Sequence, residues 1–429
     1  MSKTQQTIYV IGLGVSGIAA ARALSELGHR IYVYDDGKEA GDVDLPEAVE
    51  FRHYNEVDWR ELDSLLLSPG IPTTYPKPHK IVELARQHGV AYTVDIEFFV
   101  NLISKANIIA ITGTNGKSTT TALIHHILKE NGKQAHIGGN IGVAVFDLPI
   151  VNQEDQFYVL ELSSYQLEII DKAAFDVGVL LNITPDHIDR HGDMQKYIAA
   201  KLNLFRNRKD GFLAVVGDEC KNFEIVTEAF ENIDASYVNA KTALEITTQI
   251  EVAHFGNIQN IVAAIEVVRK YQISDSEILT ALKSYKSLPH RLEYLGNIDN
   301  VAVYNDSKAT NAESTLNALK QFDNICLVLG GVAKEGGIEL LFPELSKIKK
   351  IYLIGEAKDY FAEQLSSHGY LDFEQGYTLA EVFNQALEFC KEQAEPITFL
   401  FSPACASFDM WKNFNERGDN FKQLFEGAK

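Results

Sequence analysis

A glycine-rich loop in the middle of this chain is the segment best suited to chemistry. A β-branched apolar run leads into T-G-T-N-G-K-S-T at 112–119, and a helical apolar pattern follows. Glycines let backbone N–H groups point inward, the helix start adds positive potential, and Lys117 can reach the outer phosphates of a nucleotide. Ser118 or Thr119 is then placed to hold Mg²⁺. We predict a nucleoside triphosphate site, although the two glycines are closer together than in the common phosphate loop.

A second glycine-rich turn lies near the N-terminus. G-L-G-V-S-G at 12–17 stands between a strand-like run and a helical pattern, and Asp35 follows the next strand-like run. This arrangement is typical of dinucleotide-binding turns, where a diphosphate lies at the helix start and the acid contacts a ribose. Ser68-Pro69-Gly70 follows a third apolar run, at a strand end where ligands of open α/β sheets bind. These residues predict a nucleotide-shaped crevice and leave open a nicotinamide-dependent oxidoreductase.

Acidic and histidine side chains cluster after two apolar runs farther along the chain. Glu161 ends one such run, and N-I-T-P-D-H-I-D-R-H at 182–191 follows another. Carboxylates at strand ends beside a phosphate loop are natural Mg²⁺ ligands. We therefore predict a metal-binding or catalytic role for this region. Lys201 follows on a helix-like segment, and by itself it has the pattern of a surface lysine.

Three loops in the last third of the chain carry cations and hydroxyls. They are N-D-S-K-A-T-N at 305–311, G-G-V-A-K at 330–334 and S-P-A-C-A-S-F at 402–408, each after a strand-like run. Because parallel strands end at one edge of a sheet, we expect these loops to converge. Two lysines, two hydroxyls and a predicted helix start at Ser407 would suit a ligand with carboxylates.

The elements that must position these motifs alternate regularly between strand-like runs and helical patterns. This alternation is typical of α/β proteins with parallel sheets. We predict three domains in series: a Rossmann-like domain over 1–93, a central P-loop ATPase-type domain over 94–287 and a C-terminal Rossmann-like domain over 288–429. A long helix is predicted over 257–271, whereas residues 221–251 show no clear pattern.

Composition narrows the class of protein. The 429 residues are 46% hydrophobic and 23% charged, as in ordinary globular proteins. The formal charge of −20 argues against binding nucleic acid or anionic membranes. No run approaches the roughly 20 apolar residues of a membrane span, and residues 1–7 contain no apolar signal core, so we expect a cytoplasmic protein without membrane insertion. The four cysteines show no disulfide or metal-ligand spacing, and three lie in apolar runs that predict burial.

These motifs, in this order, resemble the Mur ligases, a family of ATP-dependent amide-forming enzymes, over essentially the whole chain. The loop at 112–119 is the mark of that family, and S-P-A-C-A-S-F-D at 402–409 with Phe414 and Arg417 is the most discriminating part. The chain departs from the family at Gly256, where a histidine is usual in G-x-H-N-x-x-N, although both asparagines are present.

The resemblance implies an ATP-dependent ligase that adds D-glutamate to UDP-N-acetylmuramoyl-L-alanine through an acyl phosphate, in peptidoglycan precursor synthesis. It implies those two substrates and ATP as partners, two Mg²⁺ ions, a carbamate formed from CO₂ on Lys201, and a monomer. A sister ligase that adds another amino acid, an oxidoreductase and a non-catalytic nucleotide-binding module are the alternatives.

The resemblance also assigns roles to individual residues. Contacts with the UDP-substrate are implied for Val15, Ser16, Asp35, Asp36, Ser68, Pro69, Gly70, Asn140, Ser163 and Gln166. Contacts with ATP are implied for Gly113, Thr114, Asn115, Gly116, Lys117, Ser118, Thr119, Asn257, Asn260, Arg291 and Asp306. The implied Mg²⁺ ligands are Ser118, Glu161, His187 and the Lys201 carbamate. D-glutamate would be held by Thr310, Lys334, Ser407, Phe408 and Phe414. The implied catalytic residues are Lys117, His187, Lys201 and Lys308.

Overall fold

The computed structural model describes residues 5–250, 255, 257–334 and 336–429, so Gly256 lies outside the described residues. The chain divides into two compact units, Met1–Ile250 with Gln259–Ser284 and Glu251–Ile258 with Tyr285–Lys429. The first unit contains two β-sheets and the second contains one. The predicted α/β class with predominantly parallel sheets is confirmed. The boundary between 93 and 94 stays a prediction, because the first two sheets lie in one compact unit.

The first sheet has five parallel strands in the order β3-β2-β1-β4-β5. Its strands are β1 Thr7–Ile11, β2 Arg30–Tyr34, β3 Val49–Phe51, β4 Ser64–Leu67 and β5 Ala91–Thr93. Its helices are α1 Val15–Glu26, α2 Lys80–His88 and α3 Asp95–Leu102. Four consecutive residues of β1 are buried, which is expected of a central parallel strand covered on both faces. The order reverses between β1 and β4, and ligands of open α/β sheets bind at such a point.

The second sheet has six strands in the order β11-β10-β9-β6-β8-β7. Its strands are β6 Asn107–Thr112, β7 Gln134–Gly139, β8 Gln156–Glu161, β9 Phe175–Leu180, β10 Arg208–Gly217 and β11 Ala235–Val238. The accompanying helices are α4 Lys117–Glu130, α5 Ser164–Ile169, α6 Ile188–His191, α7 Met194–Leu202, α8 Glu224–Ala229, α9 Leu244–Thr247, α10 Ile258–Arg269 and α11 Asp275–Ser284. Because β6 lies between β8 and β9, the phosphate loop, Glu161 and the 186–191 segment all follow neighbouring strands.

The third sheet has six strands in the order β12-β13-β17-β14-β15-β16, and only the β12–β13 pair is antiparallel. Its strands are β12 Glu293–Ile298, β13 Val301–Asn305, β14 Ile325–Gly330, β15 Ile348–Ile354, β16 Phe373–Gln375 and β17 Ile397–Phe401. Its helices are α12 Ala312–Leu319, α13 Lys358–Ser367, α14 Leu379–Lys391 and α15 Phe414–Ala428. Short 3₁₀ segments elsewhere in the chain are Ala40–Asp42, Trp59–Glu61, Val145–Asp147, Asn203–Phe205, Asp218–Asn222 and Glu339–Lys347.

The structure corrects the sequence analysis at one helix start and completes it elsewhere. No helix begins at Ser407, whose carbonyl oxygen instead accepts the N–H groups of Met410 and Trp411 in a turn. The helix begins seven residues later, where the Asn413 side chain caps α15. The unpatterned stretch 221–251 contains α8, β11 and α9. All four cysteines are buried, as predicted for three of them.

Candidate active site

The phosphate loop joins β6 to α4 through a backbone that suits glycine. Gly113 has φ 150° and Gly116 has φ 83°, a region that side chains rarely adopt. A Cβ atom at Gly116 would overlap Oδ1 of Asn260, a buried residue of α10. The loop therefore has the bare, sharply turned backbone that a phosphate-binding turn requires.

Asn182, the first residue of the 182–191 segment, holds this loop from beyond the end of the neighbouring strand β9. Its Oδ1 accepts the N–H of Asn115 at 2.8 Å, and its Nδ2 donates to the carbonyl of Asn115 at 3.0 Å. The hydroxyl of Thr114 accepts the N–H of Thr184 at 3.0 Å and lies 3.0 Å from the Tyr197 hydroxyl. The sequence signal for Asn182 was its position directly after an apolar strand beside β6.

Lys117 and Lys201 donate hydrogen bonds to the same carbonyl oxygen. Lys117, the first residue of α4, donates to the carbonyls of Gly113 at 3.0 Å and Thr114 at 2.7 Å. Lys201 on α7 also donates to Gly113 O, at 2.8 Å, and its Nζ lies 4.4 Å from the centre of the Tyr197 ring. Only 2% of Lys201 is exposed. The pattern-based prediction of a surface lysine is therefore wrong.

The surroundings of Lys201 change its chemistry. Burial lowers the pKa of Lys201 well below its usual range, and the neighbouring charge of Lys117 lowers it further. Both effects favour the neutral amine, because burial and a like charge penalise the ammonium. A neutral amine carries a lone pair that an ammonium lacks, so Lys201 is suited to act as a nucleophile.

Glu161 ends β8 beside the phosphate loop. Its Oε1 accepts a hydrogen bond from Nδ2 of Asn140 at 2.8 Å, and the N–H of Asn140 donates to the Glu161 carbonyl at 2.8 Å. Its Oε2 is buried and has no hydrogen-bond partner among the described residues. A buried anionic oxygen without a partner is costly, and a bound cation would offset that cost. Glu161 therefore fits the predicted role of metal ligand.

The side chain of Tyr165 contacts the imidazole ring of His187. His187 precedes α6 in a left-handed conformation with φ 56°, and its Nδ1 lies 3.0 Å from the Tyr165 hydroxyl. Burial raises the pKa of Tyr165 to about 12, so the hydroxyl stays neutral. When Nδ1–H donates to this oxygen, the lone pair of Nε2 lies on the side of the Asp186 carboxylate, whose Oδ2 is 3.5 Å away.

The chain's donors fit a magnesium site that shares its ion with a substrate. Within the described ranges, no group of three or more His, Cys, Asp or Glu side chains is arranged to hold a metal ion. Mg²⁺ commonly takes one or two carboxylates together with substrate phosphates rather than a complete protein cage. The unpartnered Glu161 oxygen beside a phosphate loop matches that kind of site.

Ser163 and Gln166 bind each other at the start of α5. The Ser163 hydroxyl accepts the N–H of Gln166 at 3.2 Å, and Gln166 Oε1 accepts the N–H of Ser163 at 3.0 Å. This capping box fixes both side chains at one helical turn just after β8. Their contact with the muramoyl portion of a substrate stays a prediction.

The N-terminal crevice forms where β1 and β4 end side by side. Gly12 has φ 88°, and a Cβ atom there would lie 2.7 Å from Cβ of Ser68, so this close approach requires glycine. The Ser68 hydroxyl donates to the Gly12 carbonyl at 2.7 Å. Asp35 accepts the N–H groups of Leu13 at 2.6 Å and Gly37 at 2.9 Å, which fixes its carboxylate beside the glycine turn.

The other predicted contacts of this crevice also lie at its strand ends. Val15, the first residue of α1, is 73% exposed, and Ser16 is half-buried. Asp36 accepts a hydrogen bond from Nε2 of His79 at 2.9 Å, because Nδ1 of His79 already accepts the N–H of Ile81. Binding of a UDP group by these residues stays a prediction.

In the second unit the three predicted loops meet at one edge, because β13, β17 and β14 are neighbours. Val332 and Ala406 form a β-bridge with N–H···O distances of 2.8 and 3.1 Å. The N–H of Gly330 donates to the Pro403 carbonyl at 2.9 Å. The expected convergence of these loops is confirmed.

Asp306 lies within this edge rather than on its surface. Its Oδ1 accepts the N–H of Leu292 at 3.0 Å, and its Oδ2 accepts the hydroxyl of Ser402 at 2.7 Å. Burial raises the pKa of Asp306 to about 7. Because each carboxylate oxygen already has a protein partner, Asp306 fixes the loop geometry, and its contact with ATP stays a prediction.

Arg417 on α15 joins two of the loops from inside. Its Nε donates to the Ser307 hydroxyl at 3.0 Å, and its Nη2 donates to the carbonyls of Ser307 at 2.7 Å and Cys405 at 3.0 Å. Only 1% of the residue is exposed, and burial lowers the pKa of Arg417 to about 10, which still leaves it protonated at neutral pH.

Replacing Arg417 with alanine should destabilise the protein by about 2–4 kcal/mol, because buried carbonyl groups lose their donors. Urea denaturation followed by circular dichroism measures this change. Arg60→Ala is the control, since the Arg60 side chain is 85% exposed and pairs only at the surface. Equal stability of the two variants would contradict the proposed importance of Arg417 for the loops.

The residues expected to hold D-glutamate differ in exposure. Ser407 is 2% exposed and Phe408 is 74% exposed, while Lys334 is exposed. The Nζ atom of Lys308 lies 4.1 Å from the centre of the Phe414 ring. Other predicted site residues numbered within this unit are Asn257, Arg291 and Thr310. Binding of a substrate by this set stays a prediction.

Comparison with known proteins places these features in a family. The model of the Mur ligase middle domain matches residues 111–263, and that of the Mur ligase glutamate ligase domain matches residues 290–405. A UDP-N-acetylmuramoylalanine–D-glutamate ligase of Wolbachia sp. subsp. Brugia malayi is 37% identical over 98% of this chain and 96% of its own length. A protein of the same name from Rickettsia felis is 38% identical over 99% of this chain and 97% of its own length.

Solved structures share the fold at lower sequence identity. UDP-N-acetylmuramate-alanine ligase MurC of Thermotoga maritima has a TM-score of 0.58 and 18% identity, and the match covers 99% of this chain and 100% of that one. MurF of Acinetobacter baumannii has a TM-score of 0.59 and 17% identity, with 77% and 79% of the two chains covered. Because the Wolbachia and Rickettsia relatives are 37% and 38% identical over nearly the whole chain, the chain belongs to the Mur ligase family.

Proposed function

We propose that this protein joins D-glutamate to UDP-N-acetylmuramoyl-L-alanine, with conversion of ATP to ADP and phosphate, in peptidoglycan precursor synthesis. The observation that carries this proposal is a phosphate loop whose Gly113 carbonyl accepts hydrogen bonds from both Lys117 and the buried Lys201. The choice of D-glutamate is supported by the names of the relatives with 36–38% identity.

The order of the chemical steps follows from the low reactivity of the alanyl carboxylate. A carboxylate is a poor acyl donor, so an oxygen of the alanyl carboxylate first attacks the γ-phosphorus of ATP, and ADP leaves. The neutral amine of D-glutamate then attacks the carbonyl carbon of the resulting acyl phosphate, its nitrogen loses a proton to solvent, and phosphate leaves from the tetrahedral intermediate with the bonding electrons. Positioning and charge stabilisation supply most of such catalysis, and the role of Lys117 is to balance charge on the γ-phosphoryl group.

Two Mg²⁺ ions would be held by four side chains, those of Ser118, Glu161, His187 and the carbamate form of Lys201. When bound, the ions neutralise the charge that develops on the phosphoryl oxygens. The unpartnered Oε2 of Glu161 and the support of His187 by Tyr165 favour this assignment.

A carbamate on Lys201 would supply one more metal-binding anion. The neutral amine attacks the carbon of CO₂, a carbon–oxygen π pair moves onto oxygen, and the proton on nitrogen leaves to solvent. The lowered pKa of Lys201 supports this step, because only the unprotonated amine can attack.

An amino-acid panel tests the proposal directly. With UDP-N-acetylmuramoyl-L-alanine and ATP, we expect phosphate release with D-glutamate and little with L-glutamate, since inversion at the α-carbon moves the amine or a carboxylate out of register. Equal use of both enantiomers, or preference for L-alanine or a diamino acid, would favour a sister ligase. Membership of a ligase family argues against the oxidoreductase alternative, and a failure to bind NAD would remove it.

Lys334→Ala should raise the D-glutamate concentration needed for half-maximal rate by about tenfold or more, because a charged hydrogen bond to a carboxylate is lost. Because Lys334 is exposed, its replacement should leave the stability of the fold unchanged within about 0.5 kcal/mol. Affinities for ATP and the UDP-substrate should change little. Lys320→Ala, at an exposed lysine of the same unit, is the control. An unchanged requirement for D-glutamate would remove Lys334 from the site.

We also propose that the protein acts as a monomer in the cytoplasm. Light scattering after gel filtration would test the first point, and cell fractionation the second. Across the described part of the chain, no helix is both long enough and apolar enough to cross a membrane.

A further inference from the structure

A chain of hydrogen bonds, an ion pair and ring contacts links the segment after β4 to the segment that carries His187. The hydroxyls of Thr73 and Thr74 both donate to Oε1 of Glu168, at 3.1 and 2.9 Å. The other oxygen of Glu168, on α5, lies 3.0 Å from Nη1 of Arg190 on α6. The Glu168 and Arg190 side chains are 17% and 9% exposed, so water screens this ion pair only weakly.

Arg190 is connected through Tyr165 to His187, the proposed metal ligand. The Arg190 guanidinium lies 5.2 Å from the centre of the Tyr165 ring, and the Tyr165 hydroxyl lies 3.0 Å from Nδ1 of His187. The left-handed backbone of His187 is unfavourable for a residue with a Cβ atom, so neighbouring groups must maintain it. The Tyr165 ring, backed by Arg190, is one of those groups.

Further contacts join the same two segments. Arg190 Nη2 donates weakly to the Ile71 carbonyl at 3.5 Å. A Cβ atom at Gly192 would lie 3.2 Å from the ring of Tyr75, so the turn after α6 packs closely against the segment after β4. His191 lies 3.9 Å from Glu168 through Nδ1.

We propose that Glu168 is a positioning residue for the ligase reaction. Through Thr73 and Thr74 it holds the segment that follows Ser68-Pro69-Gly70, and through Arg190 it supports His187. This inference rests on the proposed function, with His187 as a Mg²⁺ ligand, and on the predicted contact of Ser68-Pro69-Gly70 with the UDP-substrate.

The chemistry of the side chain explains why a carboxylate is needed. Glu168 accepts hydrogen bonds from hydroxyls on one oxygen and faces a cation with the other. A glutamine amide has one acceptor oxygen and one NH₂ donor. In Glu168→Gln, therefore, either the amide NH₂ faces the Arg190 guanidinium, which can only donate, or the threonine hydroxyls must accept from the NH₂ while a neutral oxygen replaces the anion beside Arg190.

Glu168→Gln tests this role against a matched control. Glu344→Gln removes a glutamate of the second unit with 18% side-chain exposure that lies 3.0 Å from Lys347. Calorimetry without ATP or Mg²⁺ gives the Kd of UDP-N-acetylmuramoyl-L-alanine, and a magnesium titration gives the concentration for half-maximal activity. We expect Glu168→Gln to raise both the Kd and the magnesium concentration about tenfold. Glu344→Gln should change neither value, even if the two variants lose the same amount in Tm.

A double substitution tests separately the hydrogen bonds that Thr73 and Thr74 donate to Glu168. Thr73→Val with Thr74→Val keeps the Glu168–Arg190 pair, and it should weaken binding of the UDP-substrate. Adding Glu168→Gln should then weaken binding by less than the sum of the separate losses, because the groups act together. If Glu168→Gln does not fold, the threonine variant by itself decides whether Glu168 holds the substrate segment.

The outcomes separate this inference from the proposed function. An unchanged Kd in the folded variants would overturn the role of Glu168 in holding the substrate segment. An unchanged magnesium requirement would overturn its link to His187. If the wild-type protein itself does not bind UDP-N-acetylmuramoyl-L-alanine, the proposed function fails, whereas normal wild-type binding with unaffected variants refutes only the positioning role.

Discussion

Lys117→Ala should lower the rate of ATP turnover by about a thousandfold, which is the scale of loss when a preorganised charge-stabilising group is removed. Lys117 lies at the start of α4, and its Nζ reaches back to the loop carbonyls of Gly113 and Thr114. From this position it can balance negative charge on the outer phosphates. Phosphate release in the presence of all three substrates measures the effect.

The control for this variant is Lys129→Ala, at an exposed lysine near the end of the same helix. Both variants should keep the circular dichroism spectrum of the wild-type protein. Lys129→Ala should also keep its rate. Phosphate release near the wild-type rate in folded Lys117→Ala would remove the proposed triphosphate site.

Lys201→Ala should lower activity at least about a hundredfold, because the proposed carbamate supplies an anionic ligand that alanine cannot replace. Added formate or acetate should restore part of the lost activity by occupying the vacated space. In the wild-type protein, activity should fall when CO₂ is removed from the buffers. Activity should return when CO₂ is restored, because the lowered pKa of Lys201 favours the neutral amine that attacks CO₂.

Lys196→Ala, on the same helix, is the matched control, since Lys196 is exposed and pairs with Asp193. It should retain activity and show no response to added carboxylates. Full activity of Lys201→Ala, or an active wild-type protein whose mass shows an unmodified lysine under saturating CO₂, would refute the carbamate.

Much of the architecture follows from local patterns in the sequence. The alternation of strand-like and helical runs predicted an α/β protein, and the structure has three predominantly parallel sheets. The glycines at 12, 113 and 116 all adopt positive φ angles within the two turns that the motifs indicated. Such features depend on residues close together in the chain, so periodicity and backbone preference reveal them.

Local sequence patterns predicted only part of the arrangement of the candidate site. Strand ends could be recognised, and their convergence in the second unit followed from the parallel sheet. The turn at Ser407 was missed, because its polar residues resemble a helix start while the actual cap, Asn413, lies farther along the chain.

The sequence by itself determined the sheet class, the two glycine turns and the strand ends that carry the polar residues. Tertiary structure alone decided the state of Lys201, which contacts a carbonyl 88 residues away. It also decided that Asn182 holds the phosphate loop and that Glu168 joins Thr73 to Arg190. Burial, pKa and hydrogen-bond partners depend on which distant segments pack together, and no local pattern records that choice.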